Sequence, residues 1–227
     1  MYILHIETST RTCSIALSRG QELLGAVDIA DSMNHTALLT PAIERLMKTA
    51  GLRLADLGAI SVSAGPGSYT GLRVGSSTAK GIAYALQIPI LAVPTLLSLA
   101  QAAFHNHPEA EIVMPMMDAR RNEVYTCVYD RNLNELIPVS SIILDQIEWG
   151  DLLPTGKKVI CCGDGSNKLD GLMTGKDIII DSSIQCQAIY LIAPALELIA
   201  RHIYSDPMHF APFYLKPPNI TQPGKIS

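Results

Sequence analysis

Between Ser61 and Gly81 the chain reads SVSAGPGSYTGLRVGSSTAKG, an apolar, β-rich run that empties into a glycine-rich turn and then into a helix of small residues. Gly65 and Gly67 permit backbone conformations closed to other residues, Pro66 stiffens the turn, and Thr70 is a good N-cap for a helix running towards Gln87. Such a turn aims backbone N–H groups and a helix dipole at whatever lies above it, and phosphate is the chemistry that exploits both. Gly65, Gly67 and Ser68 are its candidate contacts. The spacing Gly65, Gly67, Gly71 misses the dinucleotide fingerprint by one residue, and no Lys-Ser/Thr pair follows as a P-loop requires. A tight strand-to-helix turn is the plain alternative, and on this stretch alone both stay open. A second candidate phosphate turn is Gly163-Asp164-Gly165-Ser166, after the run Val159 to Cys162.

The helix behind the first turn carries its own signal. Gly71, Gly75, Ala79 and Ala83 recur every four positions and form one nearly smooth stripe. A glycine weakens an isolated helix by about 0.8 to 1 kcal/mol relative to alanine, so close packing must reward these. The partner is either the sheet of the same domain or a helix of another subunit.

These features must be positioned by elements that the rest of the chain supplies. Ile3 to Ile6, Cys13 to Ser18 and Glu22 to Ile29 read as short strands, with a hairpin turn at Arg19-Gly20. A helix follows through Ala42, Ile43, Leu46 and Met47, with Pro41 either starting it or kinking a longer one. Then come a strand at Ile60 to Ala64, the small-residue helix, a strand at Ile90 to Val93 and a helix from Thr95 to Phe104. The order βββαβαβα matches the ribonuclease-H-like half of the actin, hexokinase and Hsp70 architecture. A polar stretch at His105 to Ala110 divides this lobe, residues 1–105, from a smaller one, residues 106–227. In the second lobe, strands are expected at Ile112 to Met117, Glu123 to Tyr129, Leu136 to Val139, Val159 to Cys162 and Ile178 to Ile180. A helix over Gln187 to Tyr204, kinked at Pro194, precedes a tail extended by Pro212, Pro217, Pro218 and Pro223.

Composition bounds the function. With 227 residues, 48% of them hydrophobic, the chain can bury a large core, and its net charge of −4 offers no electrostatic grip on nucleic acid. The start MYILHIETST lacks a basic region and reaches Glu7 before a signal core could form, and no segment has the 18 to 20 apolar residues of a membrane span. A cytoplasmic protein is expected. Five cysteines, two of them adjacent at Cys161 and Cys162, supply neither a disulfide framework nor a C-x-x-C zinc pair and read as reduced core thiols.

At this point the residues carry a resemblance. Ile6-Glu7-Thr8-Ser9-Thr10, Cys13 to Leu17, His35, Ala64 to Arg73 (AGPGSYTGLR), Asp118-Ala119-Arg120 with Glu123-Val124-Tyr125, Gly163-Asp164-Gly165 and Tyr214-Leu215 resemble the TsaB (YeaZ) family, across almost the whole chain. The glycine block is specific; the other phrases are weak alone. The resemblance implies a subunit of the bacterial machinery that makes N6-threonylcarbamoyladenosine at position 37 of ANN-decoding tRNAs. A paralogue, TsaD, is implied to transfer the threonylcarbamoyl group. It further implies that the helix bearing Ala42, Ile43 and Leu46 and the stripe Gly71, Gly75, Ala79 and Ala83 dock on the equivalent face of a paralogue or second copy. In this architecture an acidic residue at the first strand's end, here Glu7, holds a hydrated metal beside a phosphate loop. Thr8 and Ser9 equally suit an ST-turn closing the hairpin.

Catalysis by this chain itself is not expected. TsaD-like proteins continue past the glycine block into H-x-x-x-H, and the matching positions here are Thr95 and Leu99, of which leucine has no lone pair and threonine is a poor transition-metal ligand. His35, beside Asn34, reads as a surface or capping histidine, and His105-x-His107 as part of a polar linker. Ser68 lies in no G-x-S-x-G elbow, Cys127 falls in a strand, and Asp118 and Glu123 flank a hairpin tip where Arg120 can pair with either. A second lobe of about 120 residues is short for an ATP site, so Glu7, Thr8, Ser9, Gly65, Gly67, Ser68, Gly163 and Gly165 are expected to be vestiges of one. The reading is a scaffold without metal or cofactor, bound to a TsaD-like paralogue, with a TsaE-like ATPase and a homodimer as further candidate partners and tRNA met only through the complex. The rivals are a nucleotide-binding phosphotransferase and an M22-type peptidase.

Overall fold

The computed structural model describes residues 1–29, 35–147, 149–172 and 177–216. Strands β1 (Tyr2–Glu7), β2 (Cys13–Arg19) and β3 (Glu22–Ile29) form an antiparallel meander turned at Gly20. Helix α1 (His35–Thr49), β4 (Leu57–Ser63), α2 (Tyr69–Leu86), β5 (Ile90–Val93) and α3 (Thr95–Asn106) follow. β4 runs parallel to β1 and β5 parallel to β4, giving the order β3-β2-β1-β4-β5 of a ribonuclease-H-like sheet.

Period-two alternation sorts the faces of this sheet. Leu4 pairs with Leu17 and Ile6 with Ile15 across β1 and β2, and Ile6 lies beside Val62 of β4. They meet Leu39, Ile43, Leu46 and Met47 of α1 and Ala79 and Ala83 of α2 in one buried cluster. The opposite face contributes Ile3, Ala59, Leu91 and Val93 to a second cluster. Residues two apart on a strand share a face, so one face is aliphatic and the other carries His5, Glu7, Ser61 and Ser63, all buried.

The second sheet contains β6 (Ile112–Asp118), β7 (Glu123–Asp130), β8 (Glu135–Ile143), β9 (Val159–Cys162) and β10 (Ile178–Asp181), with the single-turn α4 (Trp149–Leu152) before β9. Its order is β10-β9-β6-β7-β8, antiparallel from β6 to β8 and parallel from β6 through β9 to β10. Leu96, Leu99, Ala100 and Ala103 of α3 pack on it with Val113, Cys127, Ile160 and Cys162. The chain is thus a two-lobed α/β protein of the actin, hexokinase and Hsp70 type, with a shortened second lobe.

Two local expectations change, and the alternatives at Pro41 resolve to the longer helix. The N-cap of α2 is Ser68, whose Oγ accepts from the Gly71 N–H at 3.3 Å, so Thr70 already lies inside the helix. Capping needs a side-chain oxygen two to three residues before a free N–H, and Ser68 holds that place. Helix α1 runs through Pro41, which costs the bond to the Ala37 carbonyl; both residues are exposed, so water can serve that oxygen. The helix expected over Gln187 to Tyr204 is α5 (Ile192–Ala200) behind a 3₁₀ turn at Ala188–Leu191. Pro194 falls in its first turn, where the missing N–H was free anyway, and therefore starts this helix and does not kink it.

α5 also packs elsewhere than chain order suggests. Leu191 and Ala195 cover Ile3, Leu91 and Val93 on the first sheet, because that face had no other apolar cover. Residues 201–216 continue along the first lobe and include Pro212; Pro217, Pro218 and Pro223 lie outside the described residues. Among the described residues no helix is long and apolar enough to cross a membrane.

Candidate functional site

The ends of β4 and β9 bring the two glycine turns against one helix, α3. Gly65, with φ +103°, adopts a conformation that favours glycine, and its peptide to Pro66 is cis. Its N–H donates to Thr95 Oγ1 at 3.1 Å, and the Thr95 N–H donates back to the Gly65 carbonyl at 3.0 Å. One turn further along α3, Leu99 lies against Gly163, where a Cβ would stand 2.6 Å from Leu99 Cδ2. Thr95 and Leu99, the positions matched to H-x-x-x-H, are the two points at which α3 touches the two glycine turns. Both are buried.

The side-chain faces of these glycines are occupied by protein. A Cβ on Gly65 would run into the Phe213 carbonyl, one on Gly67 would stand 2.7 Å from Ser9 Cβ and from the Ser9 carbonyl oxygen, and one on Gly163 (φ +94°) would meet the Met116 carbonyl. A Cβ on Gly165 would stand 2.8 Å from the Met117 carbonyl carbon. The Ser68 N–H donates to the Ser9 carbonyl at 2.7 Å, and the Gly165 N–H to the Met116 carbonyl at 3.1 Å. Two of the amides that a phosphate would use therefore bind the chain itself.

Glu7, Thr8 and Ser9 do come together with the first turn. The Thr8 hydroxyl donates to the Gly71 carbonyl at 2.8 Å, and its N–H donates to Ser63 Oγ at 3.4 Å. Glu7 is fully buried; its Oε1 accepts from the Ser9 N–H at 2.7 Å, while Oε2 and Ser9 Oγ have no partner among the described residues. Burial raises the Glu7 pKa, against the hydrogen bonds from Ser9 and Ser63 that pull it down. A carboxyl that burial biases towards its neutral form is a poorer holder for a hydrated cation than an exposed one. Cys186, buried nearby, has its thiol pushed well up by burial and by Glu7.

The stripe on α2 finds its partner inside the chain. Cβ atoms on Gly71 and Gly75 would collide with the Thr8 carbonyl and hydroxyl, and Ala79 and Ala83 are wholly buried against the sheet. Ala42, Ile43 and Leu46 of α1 are buried in the same core. All seven residues are buried within the chain, and the glycines serve the close approach of α2 to β1. The outer side of α2 instead exposes Thr70, Arg73, Ser77, Gly81 and Tyr84, and a Cβ on Gly81 would meet nothing.

Across the cleft, Asp118 pairs with Lys168 at 2.6 Å, not with Arg120, whose backbone N–H alone reaches Asp118 Oδ1. Arg120 has φ +74°, in the left-handed region, and its side chain is exposed. Burial favours neutral Asp118, but Lys168, the Arg120 amide and Arg11 outweigh it and hold the carboxyl below its ordinary pKa. Asp164 accepts from the Asp118 N–H at 3.0 Å, and burial raises its own pKa. Lys168 also donates to the Glu123 carbonyl at 2.8 Å, and Glu123 pairs with Lys216. No local pattern marks Lys168 or Lys216; only the fold places them here.

The remaining candidates lie apart. His107 Nε2 bonds Asp181 at 2.8 Å, and the His105 ring meets that of Tyr190 in a tilted contact with centroids 6.0 Å apart, at the far end of α3 from the glycine turns. The His35 side chain and Asn34 are outside the described residues. All five cysteines are unbridged and buried. Among the described residues no group of three or more His, Cys, Asp or Glu is placed to hold a metal.

Known proteins resemble this chain in sequence and in fold. The family model "TsaD: tRNA N6-adenosine threonylcarbamoyltransferase" matches residues 25–174. A "tRNA threonylcarbamoyladenosine biosynthesis protein TsaB" of Haemophilus influenzae is 39% identical over 54% of this chain and 51% of its own length. The protein of that name from Bacillus subtilis is 36% identical over 67% of this chain and 66% of its own. Each match thus spans less than two thirds of the relative. The crystal structure of YeaZ from Pseudomonas aeruginosa superposes with a TM-score of 0.85 at 28% identity, covering 94% of this chain and 99% of that one.

Proposed function

This chain belongs to the TsaB (YeaZ) family, a paralogous group to TsaD, and from that premise we propose that it is a non-catalytic subunit of the complex that forms N6-threonylcarbamoyladenosine at position 37 of ANN-decoding tRNAs. Its work is to bind a TsaD-like catalytic paralogue in the cytoplasm and hold it in a competent shape, with a TsaE-like ATPase as a further partner. The observation that carries this reading is the use of Thr95 and Leu99. Where a metal-binding relative needs imidazoles, this chain uses a hydroxyl to fasten Gly65 and a hydrocarbon to fasten Gly163. The glycine turns, closed by Ser9, Met116 and Phe213, support the same reading. With a net charge of −4 the chain meets tRNA through its partners.

The docking face is the outer side of α1 and α2, which exposes Leu38 on α1 and Arg73, Tyr84 and the open spot at Gly81 on α2. Tyrosine and arginine are the residues that dominate binding energy at such surfaces. A Cβ at Gly81 would meet nothing within 4 Å and the position is exposed, so Gly81→Leu should leave folding intact and cut co-purification with the TsaD-like paralogue.

Depletion followed by nucleoside mass spectrometry of tRNA tests the function. Loss of the modified base, with rescue by the wild-type chain and by Glu7→Ala, is expected. Normal modification in depleted cells would refute the scaffold reading. Tight binding of Mg-ATP by the isolated chain, read by calorimetry, would favour a phosphotransferase instead, and hydrolysis in a protease assay a peptidase.

A further inference from the structure

Residues 205–216 run along the first lobe and end on the second. The Ser205 N–H donates to the Ile90 carbonyl at 2.8 Å and the Ile90 N–H donates back at 3.2 Å, so the segment starts on the outer edge of β5. Lys80 Nζ of α2 then donates to the Phe210 carbonyl at 2.8 Å, while the Phe210 ring is buried in the first lobe's core. Beyond it the Phe213 N–H donates to the Ala64 carbonyl at 2.6 Å, and the Phe213 carbonyl fills the space beside Gly65 where any side chain would stand. The Tyr214 ring packs on that of Tyr69 with centroids 4.8 Å apart and planes tilted by 43°, and Arg73 lies over the Tyr69 ring at 5.4 Å. Lys216 finally reaches across to Glu123 at the start of β7, which the Ser141 hydroxyl also bonds at 2.6 Å.

We propose that the Ala64–Gly67 turn is a docking site for an extended peptide, that residues 205–216 are its resident ligand, and that Lys216 on Glu123 makes this segment the tie between the two lobes. Main-chain pairing with a sheet edge and a turn gives such a segment its register, and the tyrosine pair and buried Phe210 give it specificity. The requirement at position 65 is then for a missing side chain opposite an incoming carbonyl, not for a phosphate-binding amide. Lys80, Tyr69 and Arg73 on α2 are the remaining wall of the site.

Hydrogen exchange on the full chain, with spin labels at Thr49 and Leu136 to report lobe separation, tests the proposal. The Ser205 and Phe213 amides should be protected in the wild-type chain. Lys216→Glu and Glu123→Lys should each speed exchange at Phe213 by about tenfold and broaden the label distance, and the two together should restore both. Gly65→Ala should release Ser205 and Phe213 while amides of β1 stay protected. An unprotected Phe213 amide in the wild-type chain, or single charge reversals that change neither readout, would overturn the proposal. So would a double reversal no better than the singles. The charge reversals fall on the exposed Lys216 and the half-buried Glu123, and they stand whether or not Gly65→Ala folds.

Discussion

The two glycine turns look alike in sequence and are built against different supports. Gly163 and Gly165 rest on the end of β6, a central strand paired on both sides by β7 and β9. Gly65 and Gly67 rest on Phe213 of a peripheral segment and on Ser9 of the β1–β2 connection. The same residue type therefore answers to a rigid neighbour in one lobe and to a displaceable one in the other. A glycine-rich turn records that something approaches closely; what approaches depends on the strand order.

This difference predicts unequal costs. Gly163→Ala forces a side chain at φ +94° against the Met116 carbonyl, which β6 cannot move, and should lower stability by about 3 kcal/mol in urea unfolding. Gly65→Ala carries a similar φ penalty but can push residues 205–216 aside, so about 1 to 2 kcal/mol is expected. Equal costs would break the comparison. Thr8→Val removes the hydroxyl that serves the Gly71 carbonyl and should cost about 1 kcal/mol by the same measurement, with α2 loosened at its first turn in hydrogen exchange.

Glu7 sharpens the comparison from the side of charge. Its pKa is raised in the folded chain above the ordinary value of 4.5, so the stability it contributes is fully present below pH 4.5 and declines as pH rises through the folded value. Glu7→Gln keeps an acceptor for the Ser9 N–H and cannot ionise. It should be more stable than the wild-type chain at pH 7, and the advantage should disappear in acid; a variant less stable at pH 7 would mean that a charged Glu7 is being used. The smallest effect is expected at the opposite end of α3. Asp181 raises the His107 pKa above 6.5 chiefly through their hydrogen bond, so the pair stabilises fully below 6.5 and its contribution is lost as pH rises through the folded value. Asp181→Asn should remove up to about 1 kcal/mol at pH 6 and flatten that slope in pH-dependent unfolding.

Much of the first lobe was legible because its signals are local. Alternation in β1 to β3, β-branched residues in β4 and β5, and the glycine block before α2 each declare an element within a few residues of chain. The TsaB resemblance rested on the same block. The stripe of Gly71, Gly75, Ala79 and Ala83 was equally legible as a demand for close packing, but its partner was not, because a strand of the same chain and a helix of another subunit ask for the same small residues. Thr8, sixty-odd positions away, answered that demand. Lys168 for Asp118, in place of Arg120, is a case of the same kind.

By itself the sequence determined the element order of the first lobe, the missing imidazoles at 95 and 99, and the family. All three follow from residue type and short spacing. Only the tertiary structure decided which carbonyl stands over each glycine, that α5 returns to cover Ile3 and Val93, and that residues 205–216 cross from β5 to Glu123. Those contacts join residues dozens of positions apart, and their free energy belongs to a pair of surfaces. No stretch of chain a few residues long can carry it.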